Sequence, residues 1–197
     1  MNIKKLRKID WLILICALML CGVGLIALFS ASYDSDLDEF RKQAIWMGIS
    51  IGIMIIVMFI DYKILIKLSP ILYGISIIAL IAVLFTTPVN GATSWFNIGA
   101  FSFQPSEFAK IAVILFLTFV ISKIQQRYAE DINKPTRLLI IFVVLALPLL
   151  LIIKQPDYGT AMAFCIALAM MLFTSGLDKK YIIGALIVIC VSIPILY

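Results

Sequence analysis

The sequence predicts an all-α polytopic membrane protein: a bundle of about seven transmembrane helices with its N-terminus in the cytoplasm. Three observations carry that prediction. Hydrophobic residues make up 63% of the 197 residues and charged residues only 14%, with a mean hydropathy of +1.13. A soluble domain has roughly 45–50% apolar and about 25% charged residues, so this chain needs lipid as its solvent. The apolar residues fall into runs close to the ~20 that a helix needs to cross the hydrocarbon core. Lys and Arg then crowd into alternate connections between those runs, which fixes their direction.

The runs lie at about 11–31, 44–60, 68–87, 105–122, 138–153, 159–176 and 181–197, and together they read as a single integral-membrane domain over 1–197. The first is too long for the apolar core of a cleaved signal peptide. Its Ser30-Ala31-Ser32 leads straight into an acidic loop (Asp34, Asp36, Asp38, Glu39) and the second run. The third follows Lys63 and Lys67, the fourth opens at Pro105, and the fifth follows Lys134 and Arg137 and contains Pro148. The sixth begins just after Pro156; the seventh holds Pro194 and stops at Tyr197. An odd number of spans with no loop beyond them predicts a fragment of a longer protein.

With the N-terminus inside, twelve basic residues face the cytoplasm: Lys4, Lys5, Arg7, Lys8, Lys63, Lys67, Lys123, Arg127, Lys134, Arg137, Lys179 and Lys180. Outside lie Arg41, Lys42 and Lys154, while Lys110 falls within a span. The net charge of +5 is accounted for by anionic inner-leaflet lipid, with no nucleic acid required. Histidine is absent, which excludes Ser-His-Asp and Cys-His catalysis and any His-bound metal in this chain. Cys16, Cys21, Cys165 and Cys190 sit inside apolar runs without CxxC spacing and read as small buried hydrophobes.

Two outward-facing stretches carry the chemistry. In the first, Asn90-Gly91 opens a turn. The aromatic segment after it (Trp95, Phe96, Phe101, Phe103) reads as an interfacial stretch, either an aromatic belt or, at Trp95, a surface for a sugar or prenyl chain. Pro105 suits the first position of a helix, where its missing N–H costs nothing. Glu107 then falls in the first turn, where the helix dipole favours an anion. Lys110 lies three residues on and deeper, as a partner of Glu107 or as the cation of a wet cavity. The second stretch, Lys154-Gln155-Pro156-Asp157-Tyr158-Gly159-Thr160, repeats the logic: Gln-Pro, then an acid, at the start of a helix running inward. Asp157 is either a helix cap or a carboxylate among lysines. Two helix N-termini at one face suit a phosphate or pyrophosphate, with Lys110 and Lys154 adding full charge. Residues alone thus predict an outward-facing site for an anionic amphiphile.

The motifs Asn-Gly-Ala-x-x-Trp at 90–95, Phe-Gln-Pro-Ser-Glu-Phe-x-Lys at 103–110 and Gln-Pro-Asp-x-Gly-Thr at 155–160 resemble those of the SEDS family (shape, elongation, division and sporulation), which includes RodA and FtsW. The short N-terminal tail looks more like the RodA type. The resemblance implies an inverting peptidoglycan glycosyltransferase of the bacterial cytoplasmic membrane, polymerising lipid II (undecaprenyl-pyrophosphate disaccharide pentapeptide) into glycan strands at the outer face. It further implies a class B penicillin-binding protein as partner and a divalent cation (Mg or Mn) as cofactor. Trp95, Glu107, Lys110, Lys154 and Gln155 are then substrate-binding candidates and Asp157 a supporting catalytic one. The aspartate usually assigned as the family's base lies beyond residue 197. Other classes remain: a lipid II flippase, which would need polar residues along the inner halves of the spans, where the sequence reads as apolar, and a non-catalytic scaffold for the penicillin-binding protein.

Overall fold

The structure, a computed structural model, describes residues 10–33, 37–87, 93–98, 101–128, 132–178, 180 and 181. It consists of six helices and one short hairpin: α1 (Trp11–Ala31), α2 (Asp38–Met58), α3 (Tyr62–Val83), β1 (Phe96–Ile98), β2 (Phe101–Phe103), α4 (Pro105–Tyr128), α5 (Pro135–Lys154) and α6 (Tyr158–Thr174). Six of the expected spans thus have a helix. The seventh, at 181–197, lies almost wholly outside the described residues, as does the Asn90-Gly91 turn. Among the described residues, four helices (α1, α2, α3 and α5) are at once long and apolar enough to cross a membrane on length and composition alone. The chain divides into two compact units, 1–61 and 62–197.

In the first unit α1 is capped by Asp10, whose carboxylate accepts from the N–H groups of Leu12 and Ile13 (3.1 and 3.3 Å). The helices α1 and α2 meet where the Phe29 ring packs edge-on against Phe40, centroids 5.3 Å apart. The helix α2 starts at Asp38 rather than near 44, because acids in a first turn favour the helix dipole. Lys42 also pairs with Glu39 at 3.0 Å. Neither helix buries a single residue. An all-round apolar helix of this kind is at home in lipid.

The second unit has a core. Leu80 from α3, Val113 and Leu117 from α4, Ile141 and Ile152 from α5, and Phe164 and Leu168 from α6 are all buried together. Two prolines interrupt these helices, and each frees the carbonyl four residues earlier. Pro70 frees that of Ile66, and the Ser69 hydroxyl donates to it at 2.7 Å. Pro148 frees that of Val144, and the Tyr73 hydroxyl reaches across from α3 to donate to it at 2.8 Å. A helix break in α5 has thereby become the hydrogen bond that joins α5 to α3.

The ends differ from expectation for local reasons. The helix α3 begins at Tyr62, taking in Lys63 and Lys67, and stops at Val83, where tighter i to i−3 bonds and the Thr86 hydroxyl on the Val83 carbonyl (2.7 Å) close it off. The helix α4 continues beyond 122 to Tyr128 because Lys123, Gln125 and Gln126 are good helix formers. The helix α6 ends at Thr174 in a Schellman motif: Gly176 adopts φ +86°, Leu177 N–H bonds the Leu172 carbonyl and Gly176 N–H that of Phe173. The cysteine expectation is corrected. Cys16, Cys21 and Cys165 are exposed on helix surfaces, since a membrane helix can place a small apolar side chain against lipid as readily as in a core. Cys190 lies outside the described residues.

Candidate functional site

The aromatic segment before Pro105 is a two-stranded antiparallel hairpin rather than an irregular interfacial stretch, with Phe96 opposite Phe103 and Asn97 opposite Ser102. The Ser102 hydroxyl donates to Asn97 Oδ1 at 2.8 Å, a cross-strand pair on one face. The hairpin delivers the chain to Gln104 and to α4, which starts at Pro105 as the sequence predicts.

At that point the two Gln-Pro motifs come together. Asp157 is the N-cap of α6, with Oδ1 accepting from Thr160 N–H at 3.1 Å. Its other oxygen, Oδ2, accepts from Gln104 Nε2 at 3.0 Å and from the Ser106 hydroxyl at 3.4 Å. The helix starts of α4 and α6 are therefore tied to one carboxylate.

A second tie lies beside the first. Gln155 is fully buried; its Nε2 donates to the Leu80 carbonyl at 3.2 Å, and its own carbonyl accepts from the Ser94 hydroxyl at 3.2 Å. The Gln155 Oε1 is buried with no hydrogen-bond partner among the described residues. Gln155, a substrate-binding candidate in the sequence, is buried and pins the α5–α6 junction to α3 and to the connection before the hairpin. Its neighbour in that connection, Trp95, keeps an exposed side chain, while its carbonyl accepts from the Thr86 hydroxyl at 3.3 Å.

Glu107 and Lys110 form an ion pair, 2.7 Å between Oε1 and Nζ, on the first turns of α4. Glu107 is exposed and Lys110 partly so. The lysine also edges a cavity of about 110 Å³ between α4 and α6, whose other walls include Val113, Leu117, Phe164 and Ala167. A cation at the mouth of an apolar slot thus stands one turn below the joined helix starts. Lys154 is exposed in the last turn of α5, where a cation complements the helix dipole. Among the described residues no three acidic or cysteine side chains converge as a metal site. Asp157 has both oxygens engaged by donors, and one oxygen of Glu107 is paired with Lys110.

Gln104, Ser106 and Ser94 carry the junction although sequence reasoning gave them no role. Their signal was the repeat itself: two Gln-Pro steps, each followed by a polar residue and a helix, predict two starts that can share partners.

The sequence profile of the FtsW/RodA/SpoVE cell cycle proteins matches residues 10–197. The chain belongs to this family. It is 30% identical over 198 residues to the peptidoglycan glycosyltransferase RodA of Treponema pallidum, covering 98% of this chain and 45% of that protein. A chain of a solved peptidoglycan synthase complex, described as coordinating polymerization and crosslinking, superposes with a TM-score of 0.81 at 25% identity, covering 94% of this chain and 53% of that one. The crystal structure of the rod shape determining protein RodA of Thermus thermophilus gives a TM-score of 0.77 at 23% identity over 92% of this chain and 58% of that one. The chain spans about half the length of the curated relatives it matches. Family membership and the apolar helices make it a multi-pass protein of the bacterial cytoplasmic membrane.

Proposed function

We propose that this chain forms the N-terminal part of a peptidoglycan glycosyltransferase that polymerises lipid II at the outer face of the cytoplasmic membrane. The observation that carries the reading is the shared carboxylate of Asp157, which brings the starts of α4 and α6 together. Relatives named as peptidoglycan glycosyltransferases support it. In this reading the unpaired N–H groups of the two helix starts and the ammonium of Lys110 face the pyrophosphate of the donor, and stabilise the charge that grows on it as the glycosidic bond to the carrier breaks. Trp95, exposed beside the junction, offers a ring face to a sugar or prenyl group. Lys154 adds positive charge at the same end, and Glu107 sets the position of Lys110.

Asp157 is a positioning residue here: with Thr160, Gln104 and Ser106 on its oxygens it holds the helix starts and leaves proton removal from the acceptor hydroxyl to another carboxylate. The divalent cation implied by the family resemblance finds no ligand set among the described residues, so no role in this chain is given to it. A class B penicillin-binding protein as partner is supported by the solved synthase complex, whose matching chain works beside a crosslinking activity. The test is strand synthesis from purified lipid II by the full-length protein. Lys110→Ala and Asp157→Ala should both lose most activity; wild-type rates in both would overturn the reading.

A further inference from the structure

At the opposite end of the second unit, α4 and α6 flank a cavity of about 200 Å³ that the site above does not use. Its polar lining is Thr118, Ser122, Gln125, Thr174 and Ser175, so the helix ends here are less apolar than the sequence reading held. Most hydroxyl hydrogens of this lining are already committed. Thr118 donates to the Ile114 carbonyl (2.8 Å), Thr174 to those of Met170 and Met171 (both 3.0 Å), and Ser175 to that of Met171 (2.6 Å). Gln125 Nε2 donates to the Ser175 carbonyl at 3.0 Å. What these groups have left is chiefly lone pairs, those of four hydroxyl oxygens and the Gln125 Oε1, against the Ser122 hydroxyl hydrogen and one N–H of Gln125. The C-terminal end of α6 adds the negative end of its dipole.

No lysine or arginine is among the described lining residues. The nearest along α4, Lys123, stands over the Phe119 ring at 5.6 Å. Lys180 is held by Asp178 at 2.8 Å, and that carboxylate raises its ammonium above the ordinary lysine range. An acceptor-rich recess that lacks a cation suits a group with several N–H donors and a positive charge, and a primary ammonium has three. The recess lies beside an apolar strip on α6, where Ile166, Met170 and Phe173 are exposed, so a chain-bearing ligand can lie along it. Lys123, next to Ser122 on α4, matches the phosphate of such a head group.

We propose that this recess binds the ammonium of an aminophospholipid in the cytoplasmic leaflet, with its acyl chains along α6. The test is native mass spectrometry of the full-length protein, exposed to an equimolar mixture of phosphatidylethanolamine, its N,N-dimethyl form and phosphatidylcholine with identical chains. The expected result is preferential retention of phosphatidylethanolamine by about tenfold, the scale of one charge-assisted hydrogen bond. Thr118→Val with Ser122→Val should abolish the preference, and Thr118→Ser with Ser122→Thr should keep it while folding equally well. Equal retention of the three lipids, a preference that survives the double valine variant, or equal binding of soluble glycerophosphoethanolamine would overturn the proposal.

Discussion

Gln104 Nε2 lies 3.0 Å from Asp157 Oδ2, so a residue just before α4 donates to the residue that caps α6, fifty-three positions along the chain. A charge-assisted bond of this kind is worth about 1.5–3 kcal/mol, more than a neutral one. It is made by two residues whose other groups are fixed: the Gln104 carbonyl accepts from Glu107 N–H, and Asp157 Oδ1 from Thr160 N–H. Neither helix start can shift without straining the other. Preorganisation of this sort is what a site for a diphosphate needs, because donors already in place do not have to reorganise when charge develops.

Gln104→Leu should lower the unfolding free energy of the detergent-solubilised protein by about 1.5–3 kcal/mol. Asp157→Ala, which removes the cap as well, should cost at least as much. Asp157→Asn should cost less than either, since asparagine caps as well as aspartate and its amide can still meet a reoriented Gln104. Thermal unfolding of the three variants checks the ranking.

The Tyr73–Val144 bond predicts a coupling. Tyr73→Phe leaves the Val144 carbonyl, freed by Pro148, without a partner and should cost about 1–3 kcal/mol. Pro148→Ala restores an N–H to that carbonyl from within α5. In the Pro148→Ala background Tyr73→Phe should therefore cost clearly less, and a double-mutant cycle measures the difference. Additive costs would show that the hydroxyl does not serve the proline break.

Much of this was legible in the sequence, and what was not has a physical pattern. Composition and run length give the helices because lipid imposes one rule on every span. Pro105 fixes the start of α4 because a missing N–H is harmless only there. The partners of Asp157 and Gln155 were out of reach, since hydrogen bonds between residues more than fifty positions apart depend on how helices pack, and apolar periodicity says little where helices are apolar all round. That also hid the structural role of Gln155, whose bonds to Leu80 and Ser94 span more than sixty positions. The hairpin was obscured because each of its strands is only three residues long, too short for an alternation to stand out.

Burial makes Gln155 a test of that distinction. Gln155→Glu should destabilise the fold strongly, by several kcal/mol, because it places a carboxylate in a core without a cation. Gln155→Met keeps the volume and removes the unpaired Oε1 along with the Leu80 bond, so it should cost no more than about 1–2 kcal/mol. Loss of lipid II polymerisation in a well-folded Gln155→Met protein would mean that the residue meets substrate after all.

Lys110 separates structural from ligand roles in a similar way. Its pair with Glu107 is solvent-accessible and spaced i, i+3, so it contributes less than about 1 kcal/mol. Lys110→Ala should leave the melting temperature almost unchanged while lowering apparent affinity for lipid II at least tenfold, as loss of a charged contact does. A lowered melting temperature with unchanged affinity would reduce Lys110 to a helix-surface partner.

The most direct test of the joined helix starts is chemical cross-linking in intact cells. Cysteines placed by Gln104→Cys and Asp157→Cys, in a protein whose native cysteines are replaced by alanine, should be bridged by a short membrane-impermeant bis-maleimide added from outside. Neither single variant should form the bridge. Failure to link, or linking only when the reagent is admitted to the cytoplasm, would contradict the pairing of α4 with α6 at the outer face.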